Sequence, residues 1–240
     1  MAAGDRHGAF ETGGTGCAEV ADLGGLETYL GDCHRCPLGD TRTRLVFGVG
    51  DPHAGLMFIG EAPGRNEDLR GEPFVGAAGK LLDELLASIG LVRSQVYIAN
   101  VLKCRPPGNR DPLALEIETC VPFLAEQVRL IAPRVIATLG NFATRCVLDT
   151  DRGITQLRGR LFQVDGRRVV PIYHPAAALY DQTKREVLFE DLQRLRRVLD
   201  TPDELPTASV DDPRPAAAAA DAATTGTPTP AASGPQPTLF

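Results

Sequence analysis

The chain lacks any run of about 18 apolar residues, so we expect no membrane-spanning helix. Residues Met1 to Gly16 are polar and glycine-rich and contain no apolar export signal, so we expect a cytoplasmic protein. Disulfides are rare in that reducing compartment, where paired cysteines more often bind metal or carry out redox chemistry. The six cysteines are therefore candidate metal ligands rather than candidate disulfides.

The chain as a whole also lacks an excess of positive charge, because its formal net charge is −6. The charge is unevenly distributed, however: residues 33–199 contain 23 lysines and arginines against 19 acidic residues, and 20 of those 23 are arginine. Arginine makes planar, bidentate contacts with phosphate. A basic centre between acidic flanks is compatible with a nucleic-acid surface.

Three segments differ in composition. From about Thr201 onward proline, alanine, threonine and serine dominate, which is typical of a segment with too little apolar surface to order itself. We expect a loose N-terminus over residues 1–20, one folded domain over 21–200 and a disordered tail over 201–240.

Within the central segment, apolar strands alternate with helices, which predicts an α/β fold whose parallel sheet is covered on both faces. Asp165-Gly166 is the turn signal of an additional hairpin. Strands are predicted at Leu56–Ile59, Val96–Ala99, Arg134–Leu139, Leu161–Val164 and Arg168–Tyr173, and helices at Gly79–Ile89, Pro112–Ile131, Asn141–Leu148 and Lys184–Leu199.

Polar residues follow three of these strands. The segment Gly60–Gly64 follows the first strand, Asn100 the second, and His174-Pro175 the last. Ligands of such folds bind at the carboxyl ends of the strands, so we expect these three groups to converge on one crevice.

Four cysteines form a candidate ligand set. Cys33 and Cys36 are spaced as C-x-x-C, whereas Cys104 and Cys120 are too far apart for the second half of a zinc ribbon. The spacing favours an iron–sulfur cluster held from dispersed positions over zinc, and the alternative is that Cys104 and Cys120 are inert buried thiols. No ligand role is expected for the two remaining cysteines, Cys17 and Cys146.

Five stretches carry a resemblance to a known family, namely Cys33–Leu38, Gly60–Asp68, Gly71–Gly79, Val96–Arg110 and Tyr173–Pro175. In this order they resemble the type-4 (type-a) uracil-DNA glycosylases, the iron–sulfur branch of their superfamily. The resemblance extends from about Leu26 to Leu199. It implies an α/β/α sandwich with a four-stranded parallel sheet, uracil excision that leaves an abasic site in DNA, and a structural [4Fe–4S] cluster on the four cysteines named above.

The resemblance also implies how the base is recognised after it is flipped out of the DNA stack. Phe74 would stack on the uracil ring, Asn100 would accept from its N3–H and donate to its O4, and Glu67 would exclude the thymine methyl. Each has a plainer interpretation: Phe74 fills the core, Asn100 ends a strand in a turn, and Glu67 begins a solvated helical turn.

For the chemical step, the resemblance assigns His174 as the donor to the uracil O2 on which negative charge develops. Backbone N–H groups near Gly60 and Ala62 would add donors, and Glu61 would orient the attacking water. Ala62 stands where the best-known uracil-DNA glycosylases carry an aspartate. The plainer interpretation of His174 is a satisfied loop residue before a proline.

Two further features concern contacts with DNA and protein. Leu179 is the expected wedge in the minor groove, and Lys184 and Arg185 are candidate phosphate contacts. The last residues resemble the peptide by which bacterial repair proteins bind the sliding clamp, with Gln236, Leu239 and Phe240 as contact residues. We expect a monomer associated with the nucleoid.

Two other functions remain open at this point. One is a uracil-DNA binder that traps or cross-links DNA without turnover, although the segment Lys103 to Asp111 lacks the basic, histidine-containing insertion of such relatives. The other is a non-catalytic iron–sulfur module associated with DNA.

Overall fold

The computed structural model describes residues 20–201 and 205–212. The chain divides into one unit over Met1–Val210 and another over Asp211–Phe240, and of the second only Asp211 and Asp212 are described. Cys17 and the predicted clamp residues Gln236, Leu239 and Phe240 lie outside the described residues. Within the described ranges, every helix is too short or too polar to cross a bilayer.

The sheet has six strands in the order β1-β3-β2-β4-β6-β5. The four central strands, β3, β2, β4 and β6, are parallel, as predicted. The predicted strand count of four is corrected by two antiparallel edge strands: β5 is the first arm of the predicted hairpin, and β1 pairs with β3 over only two residues. The strands are β1 Val49–Gly50, β2 Leu56–Gly60, β3 Tyr97–Asn100, β4 Val135–Leu139, β5 Phe162–Val164 and β6 Arg167–Ile172.

Helices cover both faces of the sheet, which confirms the α/β/α sandwich. Alternate residues of β2 point to opposite faces, so that Met57 and Ile59 pack with α4 and α5, whereas Leu56 and Phe58 pack with α3 and α7. The helices are α1 Leu23–Leu30, α2 Arg65–Arg70, α3 Ala77–Ser88, α4 Ala114–Ile131, α5 Gly140–Leu148, α6 Ile154–Leu157 and α7 Gln182–Asp200.

Helix α4 begins two residues later than the sequence predicts. Leu113 keeps an extended backbone, and its N–H donates to the carboxylate of Glu116 at 2.8 Å, which caps the helix. Arg110 holds the other side of the same carboxylate through a bidentate pair. The loop between β3 and α4 is thereby tied to the start of the helix.

Candidate functional site

The carboxyl ends of β2 and β3 lie side by side, with Gly60 paired in register with Asn100. A side chain at residue 60 has no space: a Cβ there would lie 2.3 Å from Asn100 Oδ1 and 2.9 Å from the ring of Phe74. Glycine therefore permits the side chains of Asn100 and Phe74 to meet above the end of β2.

Asn100 carries an unused hydrogen-bond acceptor in a buried position. The residue is 2% exposed, and its Oδ1 is the single buried side-chain nitrogen or oxygen atom without a partner among the described residues. Its backbone carbonyl accepts from Lys103 Nζ at 2.7 Å. Because an unsatisfied buried acceptor costs about 1–3 kcal/mol, such an atom at the carboxyl end of the sheet is a candidate contact for a ligand that donates to it.

Phe74 packs in the core and also lies at the end of β2. The residue is 6% exposed and packs with the apolar cluster under α3 and α7, which agrees with the core interpretation. Its ring also stacks against His174, with 5.5 Å between centroids and 28° between planes. The ring of Phe74 therefore lies beside both the Asn100 side chain and the His174 ring.

His174 follows β6 and is held in one tautomer. The backbone N–H of Ala176 donates to His174 Nδ1 at 3.1 Å, so in the neutral ring the proton resides on Nε2. Burial lowers the pKa of His174 to about 4, against the opposing influence of Glu67. At neutral pH the side chain is therefore an uncharged Nε2–H donor.

Glu67 lies in α2, where it is half-buried and contacts the Phe74 loop. Its Oε1 accepts from the N–H groups of Val75 at 2.9 Å and Gly76 at 3.0 Å. Glu67 does lie in a helical turn, as its plainer interpretation expects. Its carboxylate, however, accepts hydrogen bonds from two amides outside that helix. This carboxylate fixes the segment that follows Phe74.

Glu61 is half-buried directly after β2. Burial raises the pKa of its carboxyl, and the nearby charge of Asp111 raises it further. A raised pKa makes this carboxylate a better proton acceptor. Ala62 is half-buried and packs against the cluster under α4.

Two residues at this site were not singled out by the sequence. Lys103 is 1% exposed and bonds both the Asn100 carbonyl and Gln127 Oε1, the latter at 2.6 Å. Arg93 donates to two carbonyls of the Phe74 loop. The sequence pattern does not reveal either contact. Arg93 is about twenty residues from the loop that it contacts, and Lys103 resembles an ordinary basic loop residue.

The loop after His174 presents a different side chain to solvent from the one predicted. Leu179 is half-buried against the core, whereas Tyr180 is 87% exposed. Lys184 pairs with Asp181 at 2.8 Å, and Arg185 pairs with Glu84 of α3. Both predicted phosphate contacts are therefore engaged in ion pairs on the protein surface.

The four candidate ligand cysteines are all buried, with exposures between 3% and 9%. Burial raises the pKa of Cys104 to about 12, and the neighbouring Cys120 and Cys36 contribute to the same shift. Cys33 and Cys36 likewise affect the pKa of Cys120. These mutual effects indicate that the four thiols lie near one another, although they come from three separate segments of the chain.

The donor set around these thiols has the chemistry of an iron–sulfur site, since the four thiols are buried and one accepts an N–H hydrogen bond. In the described part of the chain, no three histidine, cysteine or acidic side chains are close enough to hold one metal ion. Arg42 Nη1 donates to Cys104 Sγ at 3.6 Å, and N–H donors to sulfur are typical of cluster sites.

Sequence comparison identifies relatives of this chain among known proteins. Residues 47–196 match the model of the uracil DNA glycosylase superfamily. The type-4 uracil-DNA glycosylase of Archaeoglobus fulgidus is 49% identical over 171 residues, covering 68% of this chain and 86% of that protein. The type-4 enzyme of Thermotoga maritima is 41% identical over 168 residues, covering 68% and 88%. A DNA polymerase of Bacillus phage SP01 is 29% identical over 154 residues, covering 64% of this chain and 17% of the polymerase.

Proposed function

The chain belongs to the type-4 uracil-DNA glycosylases and excises uracil from DNA, and from this premise we propose that Phe74, Asn100 and His174 form its uracil pocket. The observation that carries the assignment is the buried, partnerless Oδ1 of Asn100 beside the ring of Phe74. Uracil N3–H is a donor of the kind that this atom lacks, whereas cytosine presents an acceptor at N3. A cytosine would leave the Asn100 oxygen unpaired in a dry pocket.

His174 acts on the departing base in this proposal. As the glycosidic bond breaks, the sugar becomes cation-like and uracil takes up negative charge on O2. A neutral Nε2–H donor aimed at that oxygen stabilises the charge as it develops. The hydrogen bond from Ala176 to Nδ1 supports this role because it fixes the donating tautomer.

Glu61 and Glu67 have separate roles. Glu61 orients the attacking water, a role supported by the raised pKa of its carboxyl. Glu67 excludes the thymine methyl by holding the loop at Val75 and Gly76 in place, since both amides bond its Oε1. Backbone N–H groups near Gly60 and Ala62 supplement the donor at His174.

One assay tests the catalytic assignment against the two non-catalytic functions. The protein is incubated with uracil-containing single- and double-stranded DNA, which is then treated with alkali. We expect strand breaks in excess of the enzyme present, because each turnover leaves an abasic site. A stable covalent adduct would indicate a trapping protein, and intact DNA would indicate a non-catalytic module.

Cys33, Cys36, Cys104 and Cys120 would hold a [4Fe–4S] cluster, supported by their shared burial and by the N–H donor at Cys104. When bound, the cluster supplies a structural link between segments of the protein and takes no redox part in the reaction. It would tie the segment after α1 to the loop after Asn100, and so to the pocket.

Replacing Cys120 with alanine tests the cluster. We expect the iron content to fall from about four atoms per chain to a small fraction of that value, together with a lower thermal midpoint. Iron analysis and visible absorbance of the purified protein measure the loss. The matched control is Cys146→Ala, a half-buried cysteine outside the ligand set, which should retain the full iron content. Equal iron in both variants would rule out the ligand assignment.

The wedge lies in the loop after His174, and exposure supports Tyr180 over Leu179 as the side chain that enters the duplex. Since stacking on a base contributes about 1–3 kcal/mol, we expect Tyr180→Ala to slow excision from duplex DNA about tenfold and to leave single-stranded DNA almost unaffected. Tyr180→Phe keeps the ring and should behave like the unaltered chain. If Leu179→Ala shows the selective duplex defect instead, Leu179 is the wedge.

The C-terminal residues Gln236, Leu239 and Phe240 would bind the bacterial sliding clamp. The similarity of this short pattern to clamp-binding peptides supports the proposal. A tether between enzyme and clamp raises the effective concentration of the enzyme near DNA. The protein would then act as a monomer at the nucleoid in the cytoplasm.

A further inference from the structure

Phe74 has an unusual backbone for a residue with a large side chain. Its φ is +53°, in the left-handed region that disfavours residues with a Cβ. Phe74 lies in the loop between α2 and α3, so neither a helix end nor a tight turn accounts for its conformation. The other four described non-glycine residues with positive φ lie at helix C-termini, in a helical turn or in a hairpin turn, namely Ala132, Asp149, Asn109 and Asp165.

Two charged side chains hold this loop from either end. Arg93 Nη2 donates to the carbonyl of Pro73 at 2.6 Å, and Arg93 Nη1 donates to that of Phe74 at 3.0 Å. On the following residues, Glu67 accepts the N–H groups of Val75 and Gly76. Charge-assisted hydrogen bonds of this kind are the strong ones, and the guanidinium makes two of them to consecutive carbonyls.

The helix that follows leaves the loop little freedom to move elsewhere. A Cβ at Gly79 would lie 1.7 Å from the Phe74 carbonyl oxygen, so α3 packs directly against that group. Arg93 Nη1 also makes an exposed ion pair with Asp83 of α3, at 3.1 Å. Arg93 also lies in the short turn that leads into β3, the strand that ends at Asn100.

We propose that Arg93 is a positioning residue for uracil binding, which holds the left-handed backbone of Phe74 and so presents the ring to the base before DNA arrives. The inference rests on the assignment of Phe74 to the uracil pocket. Without the guanidinium, the loop relaxes toward an ordinary backbone conformation and the ring turns away from Asn100 and His174. Binding must then reorder the loop, which lowers affinity and rate together.

The test compares Arg93→Ala and Arg93→Lys with two controls. Asp83→Asn removes the ion pair but leaves the guanidinium at both carbonyls, and Arg196→Ala removes a surface arginine from a comparable pair with Asp200. For each protein, single-turnover excision, inhibition by free uracil and the thermal midpoint are measured. Free uracil reports on the pocket without any contribution from the DNA backbone.

We expect Arg93→Ala to weaken inhibition by free uracil about tenfold and to lower kcat/KM by a similar factor. Arg93→Lys, which retains the charge but not the two-pronged donor, should lie between Ala and the unaltered chain. Both controls should stay within about twofold of the unaltered chain. Unchanged uracil inhibition in Arg93→Ala, or a loss that only follows the unfolded fraction, would overturn the proposal. If the unaltered chain is not inhibited by uracil, the pocket assignment itself fails.

Discussion

A chain with alanine in place of His174 is expected to release uracil about 10²- to 10³-fold more slowly, because a donor to developing charge in a dry site contributes about 2.7–4 kcal/mol. The Nε2–H donor is fixed by the hydrogen bond from Ala176 and by the stacked ring of Phe74. The lost interaction forms fully only in the transition state, so kcat should fall much more than KM rises. Single-turnover rates and steady-state KM on the same oligonucleotide measure both.

The pH dependence of the unaltered chain provides a second observation on the same residue. Since the pKa of His174 is lowered to about 4, the ring stays neutral throughout the range from about pH 5 upward. The rate should therefore pass through pH 6.5, the usual histidine value, without a step. A step near pH 6.5 that disappears in His174→Ala would contradict the neutral donor. The exposed His53 is the control position, and His53→Ala should leave rate and profile unchanged.

Much of the fold follows from local pattern. The continuous apolar runs of β2 and β4 predict buried parallel strands, and Asp165-Gly166 predicts the β5–β6 hairpin, whose two turn residues both have positive φ. By contrast, β1 has only two residues, and its pairing with β3 depends on tertiary context. Helix α6 was missed as an element because four residues are too few for a clear helical period.

In the candidate site, too, some features were predictable from local sequence and others were not. Residues at strand ends were predictable because parallel strands bring their carboxyl ends to one edge, as Gly60 and Asn100 do in register. Their chemical roles came from resemblance, since an asparagine after a strand has no pattern that distinguishes a ligand from a turn residue. The hydrogen bond from Arg93 to Phe74 joins residues far apart in the sequence, and it ends on a backbone carbonyl, which every residue has and no pattern marks. Exposure of Tyr180 rather than Leu179 likewise depends on how the loop packs against the core.

Asn100→Ala should abolish discrimination between uracil and cytosine. The substitution removes the acceptor for N3–H and the donor to O4, which leaves two polar groups of a buried uracil unpaired at about 1–3 kcal/mol each. We expect uracil excision to fall about 10²- to 10³-fold, since 1.4 kcal/mol corresponds to tenfold. Because cytosine already opposes the asparagine pattern, its binding should weaken little or even improve.

Inhibition by the two free bases measures this difference directly. The unaltered chain should be inhibited by uracil and not by cytosine, and the two inhibition constants should approach each other in Asn100→Ala. The control is Asn109→Gly, an exposed asparagine with φ of +55° that glycine adopts readily, where the preference should be retained. Loss of the same buried side chain also removes an unpaired acceptor, so the thermal midpoint of Asn100→Ala without ligand should not fall below that of the unaltered chain. A variant that excises uracil slowly yet still prefers it to cytosine would show that the backbone around Asn100, and not its side chain, recognises the base.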